Sequence, residues 1–181
     1  LPVVLFPFLG VMDGRAVAPL YFNHIIFLFV GGFLVALAMQ KWNLHKRIAI
    51  RILLLFGGCP RCMLMGFMLA TAFLSMWISN TATTMMMAPI ALAIVLKMEE
   101  QTSKQSVSQF STGLFLGVAY SASIGGVATL VGTPPNLSFV RILKIQFPDA
   151  PDISFATWFI FALPMAMIFL VLTSSHNPQV L

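Results

Sequence analysis

Four long stretches of this sequence carry no charged side chain: no Lys, Arg, Asp or Glu occurs between Arg15 and Lys41, between Arg61 and Lys97, between Lys104 and Arg141, or after Asp152. Each stretch exceeds the ~20 residues that an α-helix needs to cross the hydrocarbon core of a bilayer. A water-soluble globule cannot be assembled from such material, because its surface must stay largely polar; an average soluble domain carries roughly 25% charged residues. Here charged residues make up 8% of the chain and hydrophobic ones 59%. The same balance rules out disorder. The expected class is an all-α membrane protein, with the lipid bilayer as its solvent.

The net charge of +5 does not mark a nucleic-acid partner. The basic residues stand at the ends of apolar runs, where cytoplasmic anchors belong, and they form no stripe with interleaved aromatics. Counting them assigns Lys41, Lys46, Arg47, Arg51, Arg61, Lys97 and Lys104 to the cytoplasmic side and Arg15, Arg141 and Lys144 to the other. Leu1 to Met12 is apolar from its first residue, without a charged leader or a small-residue cleavage site; it reads as the cut end of a membrane helix, and the chain as a fragment. The lone Cys59-Pro60-Arg61-Cys62 lacks the second pair or the histidines of a metal site and reads as incidental.

Phe22 to Met39 is a clean apolar span. Lys41 to Arg51 alternates apolar and basic residues at near-helical spacing, which fits either an amphipathic helix lying in the interface or a juxtamembrane continuation of the span. Gly57, Gly58 and Pro60 end it. Two apolar segments, Cys62 to Ile78 and Thr81 to Lys97, are joined by Ser79-Asn80-Thr81 alone. A connection this short, without charge, Gly or Pro, suits a re-entrant helical hairpin, or two full crossings with a tight turn. Glu99 to Gln109 reads as a polar connector, and Phe110 to Tyr120 as the start of a helix. That helix then meets Ser121, Ser123, Gly125, Gly126, Thr129, Gly132, Thr133, Pro134, Pro135 and Asn136, a density of breakers that predicts a discontinuous helix resuming at the prolines and ending near Ile145. Ile153 to Leu172 is an ordinary span, and the polar tail from Ser174 to Leu181 continues no pattern.

The two interruptions carry the chemistry. Unpaired backbone groups cost several kcal/mol each in hydrocarbon, so broken helices persist only where protein or water satisfies them. Neighbouring broken segments point to a transport site. Each break leaves free carbonyls at one helix end and free N–H groups at the other. Carbonyl, Ser, Thr and Asn oxygens suit a hard cation such as Na⁺, whereas the N-terminal helix ends near Thr81 and Pro135 favour an anion. Neither break contains Asp or Glu, which argues against a proton relay and for sodium coupling. Ordinary capping at Ser79-Asn80 and a merely kinked helix at the Gly/Pro tract are the plainer readings of each break taken alone. Gly125-Gly126 and Gly132 lack the Lys and Ser/Thr of a phosphate-cradling loop. Met85-Met86-Met87 is more simply lipid-facing or core methionine than a soft-metal site. His24, His45 and His176 share no ligand spacing.

The run Leu74-Ser75-Met76-Trp77-Ile78-Ser79-Asn80-Thr81-Ala82-Thr83, with Met86 and Pro89, resembles the divalent anion/sodium symporter family of sodium-coupled dicarboxylate, citrate and sulfate transporters. Trp42-Asn43-Leu44-His45-Lys46-Arg47-Ile48-Ala49 is similar to that family's interfacial segment, and Gly125-Gly126-Val127-Ala128-Thr129-Leu130-Val131-Gly132-Thr133-Pro134-Pro135-Asn136 to its broken helix; the likeness runs from about Leu1 to Leu172. The resemblance implies an elevator-type transporter built from inverted repeats, of which this chain is the first half. It implies scaffold helices over 1–61 and 146–173, a transport unit over 62–145 holding the re-entrant hairpin and the discontinuous helix, and an atypical tail over 174–181. It implies a sodium site at Ser75, Ser79, Asn80 and Gly132, and a substrate site at Asn80, Thr81, Thr133 and Pro134. It implies Na⁺ as the coupling ion with no other cofactor, and as partners a small anion, the lipid bilayer and a second copy of the full-length chain, in a plasma or inner membrane. The second repeat is missing, so the sequence is expected to be a truncated product or a partial one. The rival readings are a proton-coupled or exchanging anion transporter of related fold and a non-transporting membrane subunit.

Overall fold

The computed structural model describes residues 2–22, 24–56, 59–100 and 104–175. Leu1, the Gly57–Gly58 break, His176 and the rest of the polar tail lie outside the described residues. The described chain is helical throughout, without a strand: α1 (Pro2–Phe8), α2 (Gly14–Tyr21), α3 (His24–Lys41), α4 (Leu44–Leu55), α5 (Pro60–Ser75), α6 (Asn80–Glu99), α7 (Lys104–Ala128), α8 (Pro134–Gln146) and α9 (Phe155–Ser175). Among the described residues, three helical stretches suffice by length and composition to cross a membrane: Asn80–Glu99, Val107–Ala128 and Phe155–Ser175. The pair Ile26–Lys41 and Leu44–Ile52, bent by 74°, makes a fourth if taken as one span.

Several boundaries differ from the sequence expectations for physical reasons. The apolar run from Leu1 to Met12 is not one helix. It stops at Phe8 and turns through Gly10, whose φ of 66° lies in the left-handed region. The helix α4 does not continue α3, because Asn43 adopts φ 50° and redirects the chain. Buried His45 pins the corner by donating from Nδ1 to the Met39 carbonyl at 3.2 Å. The connector expected over Glu99 to Gln109 is shorter, since α7 already begins at Lys104. The last helix reaches Ser175, two residues into the expected tail. Cys59 and Cys62, read as incidental, are joined by a disulfide, and Cys59 caps α5 by accepting the Cys62 N–H at 3.1 Å.

The largest revision concerns α7. The Ser/Gly-rich stretch does not break the helix at Tyr120; α7 runs unbroken to Ala128. Its glycines serve close packing. Gly117 faces Leu64 and Met68 of α5, and Gly125 lies against Ala72 so tightly that a methyl there would sit 2.1 Å from the Ala72 carbonyl oxygen. Ser121 falls on the same face, four residues from each. The matching order of contacts makes α5 and α7 parallel neighbours. In a bilayer, where lipid is as apolar as leucine, such close backbone approach drives helix association. The core around it contains Leu64, Phe67, Met68 and Leu74 of α5, Met87, Ala91 and Val95 of α6, and Phe110, Leu114 and Val118 of α7. Packed on α5, α6 and α9, α7 is the central helix, and α5 and α7 bring their C-terminal ends to the same place.

Candidate functional site

The α5–α6 break comprises Met76–Ser79, slightly earlier than Ser79-Asn80-Thr81. Trp77 and Ile78 wind one last turn onto the Leu74 carbonyl, and Ser79 then extends (φ −53°, ψ 146°) to become the N-cap of α6. The Ser79 hydroxyl accepts from the Ala82 N–H at 3.4 Å. Asn80 and Thr81 therefore form the first turn of α6. The α7–α8 break comprises Thr129–Thr133, and Pro134 and Pro135 open α8, where the missing N–H groups cost nothing.

The two breaks are stitched together. Thr129 donates from Oγ1 to the Met76 carbonyl at 2.5 Å and accepts the Gly132 N–H at 3.1 Å. The Ser75 hydroxyl, fully buried, lies 2.8 Å from Asn80 Oδ1 and 2.6 Å from the Ala122 carbonyl oxygen. It has a single proton for those two acceptors. A methyl on Gly126 would lie 2.1 Å from Asn80 Oδ1. One on Gly132 would lie 2.6 Å from the Gly126 carbonyl oxygen and 3.0 Å from that of Ser75. At Gly132 the obstructing atoms are backbone, so only backbone fits there; at Gly126 the Asn80 side chain would have to move. Oxygens of Ser75, Asn80, Ala122 and Gly126 thus crowd one small region, in which the single Ser75 hydroxyl proton faces both Asn80 Oδ1 and the Ala122 carbonyl. The ends of α5 and α7 add the negative poles of their dipoles, worth about half an elementary charge each.

Of the residues expected from sequence, Ser75, Asn80 and Gly132 meet in this cluster. Ser79 lies at its edge and, with Gly132 and Pro134, lines a shallow pocket closed by Gly32, Phe33 and Ala36 of α3. Thr81 is exposed on the first turn of α6. Thr133 is half-buried, and its hydroxyl makes no cap bond to α8. Neither lines the pocket, but the first turns of α6 and α8, on which they stand, both border it through Ser79 and Pro134.

Sequence reasoning assigned no role to Asn136. Buried in the first turn of α8, its amide reaches back and spends its two protons on the Gly126 and Thr129 carbonyls, at 2.9 and 2.8 Å. The signal was available, since an Asn two residues past a helix-opening Pro can turn back on the preceding chain. Thr129 was noted only as a breaker, yet it ties one break to the other.

The sequence profile of the citrate transporter family matches residues 1–175. The chain belongs to that family. It is 42% identical to solute carrier family 13 member 2 of Rattus norvegicus over 209 residues, an alignment covering 92% of this chain and 36% of the rat protein. It is 45% identical to the sodium-dependent dicarboxylate transporter SdcS of Staphylococcus saprophyticus over 178 residues, covering 95% of this chain and 34% of that one. The SdcS protein of Staphylococcus aureus strain NCTC 8325 is 44% identical over 179 residues, covering 96% and 34%. The chain therefore spans about a third of the length of these relatives. The likeness to sodium-coupled carboxylate transporters seen in the motifs is borne out. The citrate transporter family consists of integral membrane transporters, not enzymes.

Proposed function

We propose that this chain forms the first repeat of a sodium-coupled symporter for a divalent anion: a dicarboxylate, citrate or sulfate. The observation that carries the reading is the oxygen cluster at the paired breaks, where one hydroxyl proton stands among several acceptors. Such a set stabilises a hard cation better than it stabilises itself. In this reading Ser75, Ser79, Asn80 and Gly132 hold Na⁺. The neutralised, ordered break then presents Asn80, Thr81, Thr133 and Pro134, with the N-terminal dipoles of α6 and α8, to the anion. Names borne by relatives support both halves, because they describe sodium-dependent transport of dicarboxylates. The absence of Asp and Glu from the stretches around both breaks favours sodium over protons as the driving ion.

The re-entrant hairpin belongs to the same proposal. The 16-residue α5 measures about 24 Å at the α-helical rise, short of the ~30 Å hydrocarbon core. A second, inverted repeat would supply the remaining ligands, and a dimeric scaffold would carry the moving unit. The test is uptake of labelled succinate, citrate and sulfate by the intact protein in proteoliposomes, under an inward sodium gradient or an equal choline gradient. Sodium-driven accumulation of at least one anion is expected. Uptake driven by a pH gradient without sodium would replace this reading with proton coupling, and no uptake of any anion would leave the chain as part of a non-transporting subunit.

A further inference from the structure

The first turns of α9 touch the α5–α6 break and both helices that flank the α7–α8 break. Phe155 stacks on Trp77 of the α5–α6 break, with ring centroids 6.4 Å apart, and on Phe159 at 6.1 Å. Trp158 sets its ring edge-on to Phe139 of α8 at 6.1 Å and donates its indole N–H to the Val127 carbonyl at 2.9 Å. Val127 is the second-last residue of α7, so its carbonyl is among those that the helix cannot pair internally. The preceding carbonyl, Gly126, is held by Asn136 of α8. Consecutive carbonyls at the end of α7 are thus clamped by separate donors, one from α8 and one from α9.

We infer that Trp158 is a positioning residue for the cation site; the inference rests on the sodium-coupled reading above. Trp158 contributes no oxygen ligand of its own. An indole is a donor only, so its polar contact with a carbonyl can only hold it. With Val127 held outward, the peptide planes on either side keep their directions, including that of Gly126, whose Cα hydrogens abut Asn80 Oδ1. Without the indole N–H, the Val127 carbonyl, the next along the chain after that of Gly126, loses its donor. It then turns toward water or toward the bound cation, and the ligand set loses its geometry.

The test is Trp158→Phe in the intact protein, which keeps an aromatic ring facing Phe139 while removing the donor together with one ring of the indole; Phe139→Leu then reports what lost ring packing alone does. The sodium concentration for half-maximal uptake should rise roughly three- to tenfold, the range expected for one neutral hydrogen bond. The anion concentration for half-maximal uptake at saturating sodium, and the maximal rate per inserted molecule, should change less than about twofold on the same reasoning. Phe139→Leu, which removes the ring edge and leaves the hydrogen bond, should keep the wild-type sodium curve. Thermal unfolding in detergent, in sodium or choline chloride, gives a binding readout independent of transport: Trp158→Phe should need correspondingly more sodium for the same stabilisation. An unchanged sodium midpoint in both assays overturns the inference. So does a loss of maximal rate and inserted protein at constant midpoint, which would make Trp158 merely structural. If the wild type transports the anion without sodium dependence, the symport reading itself falls and carries this inference with it. A wild type that responds to sodium beside a variant that does not shift separates the two failures.

Discussion

The two breaks solve one problem with opposite chemistry. At the α5–α6 break the chain contains no Gly or Pro, and polar side chains do the work: Ser79 caps α6, and Ser75 bonds outward to Asn80 and to the Ala122 carbonyl. At the α7–α8 break the backbone does it: Gly132 passes where a side chain cannot, and Pro134 and Pro135 restart the helix. The first break is thereby chemically specific and conformationally ordinary, and the second is the reverse. A substitution should fail in the first by losing a ligand and in the second by losing space.

Gly132→Ala should have the largest effect. Its methyl would press on the Gly126 and Ser75 carbonyl oxygens, both fixed backbone atoms that cannot move aside like a flexible side chain. A cost of about 3 kcal/mol, roughly a hundredfold in sodium-coupled uptake, is expected from such overpacking. Gly31→Ala, where nothing lies within 4 Å of the added methyl, should stay near wild type. Uptake against sodium, normalised to inserted protein, checks both, and equal curves for the two variants would abolish the distinction between the breaks.

Asn80→Ala should come next, removing together the side-chain oxygen that the proposal assigns to Na⁺ and the amide donor that it assigns to the anion. Sodium activation and anion uptake should weaken in concert, by roughly tenfold, as for a lost hydrogen bond to a charged group. A shift in anion affinity alone would move Asn80 out of the cation site. Ser75→Ala should be milder and narrower, with the sodium midpoint rising roughly threefold and anion affinity at saturating sodium unchanged. If Ser75→Ala instead matches Gly132→Ala, the hydroxyl is holding α5 to α7 through the Ala122 carbonyl, and the first break is as structural as the second.

Sequence made the site legible and misplaced the helix that carries it. Ser75 and Gly132 entered the site only through the family resemblance, whereas both breaks could be read from residue types that have few other uses in a charge-free run. The continuation of α7 through Gly125 and Gly126 could not. Glycine marks either a helix end or a helix contact, and only the neighbour decides; here Ala72 and Asn80 occupy the space a side chain would need. Asn136 and Trp158 escaped for a related reason. Their partners are backbone carbonyls of Gly126, Thr129 and Val127; the place of Asn136 just after the prolines hints at such a turn back, whereas nothing in the sequence points Trp158 at Val127. The corner at Asn43 was equally hidden, since the alternation of basic and apolar residues is the same in a straight helix and a bent one.

The contact of Gly125 with Ala72 also fixes the register of α5 on α7. Helices that rearrange by ratcheting move one turn at a time, trading each residue for the one four places away. Four places from Gly125 stand Ser121 and Thr129. Either would bring a Cβ to a spot 2.1 Å from a carbonyl oxygen. The helices α5 and α7 therefore have no second groove to fall into. On the symport reading proposed above, a conformational cycle would displace them as one piece, with both breaks and the oxygens between them carried along unchanged.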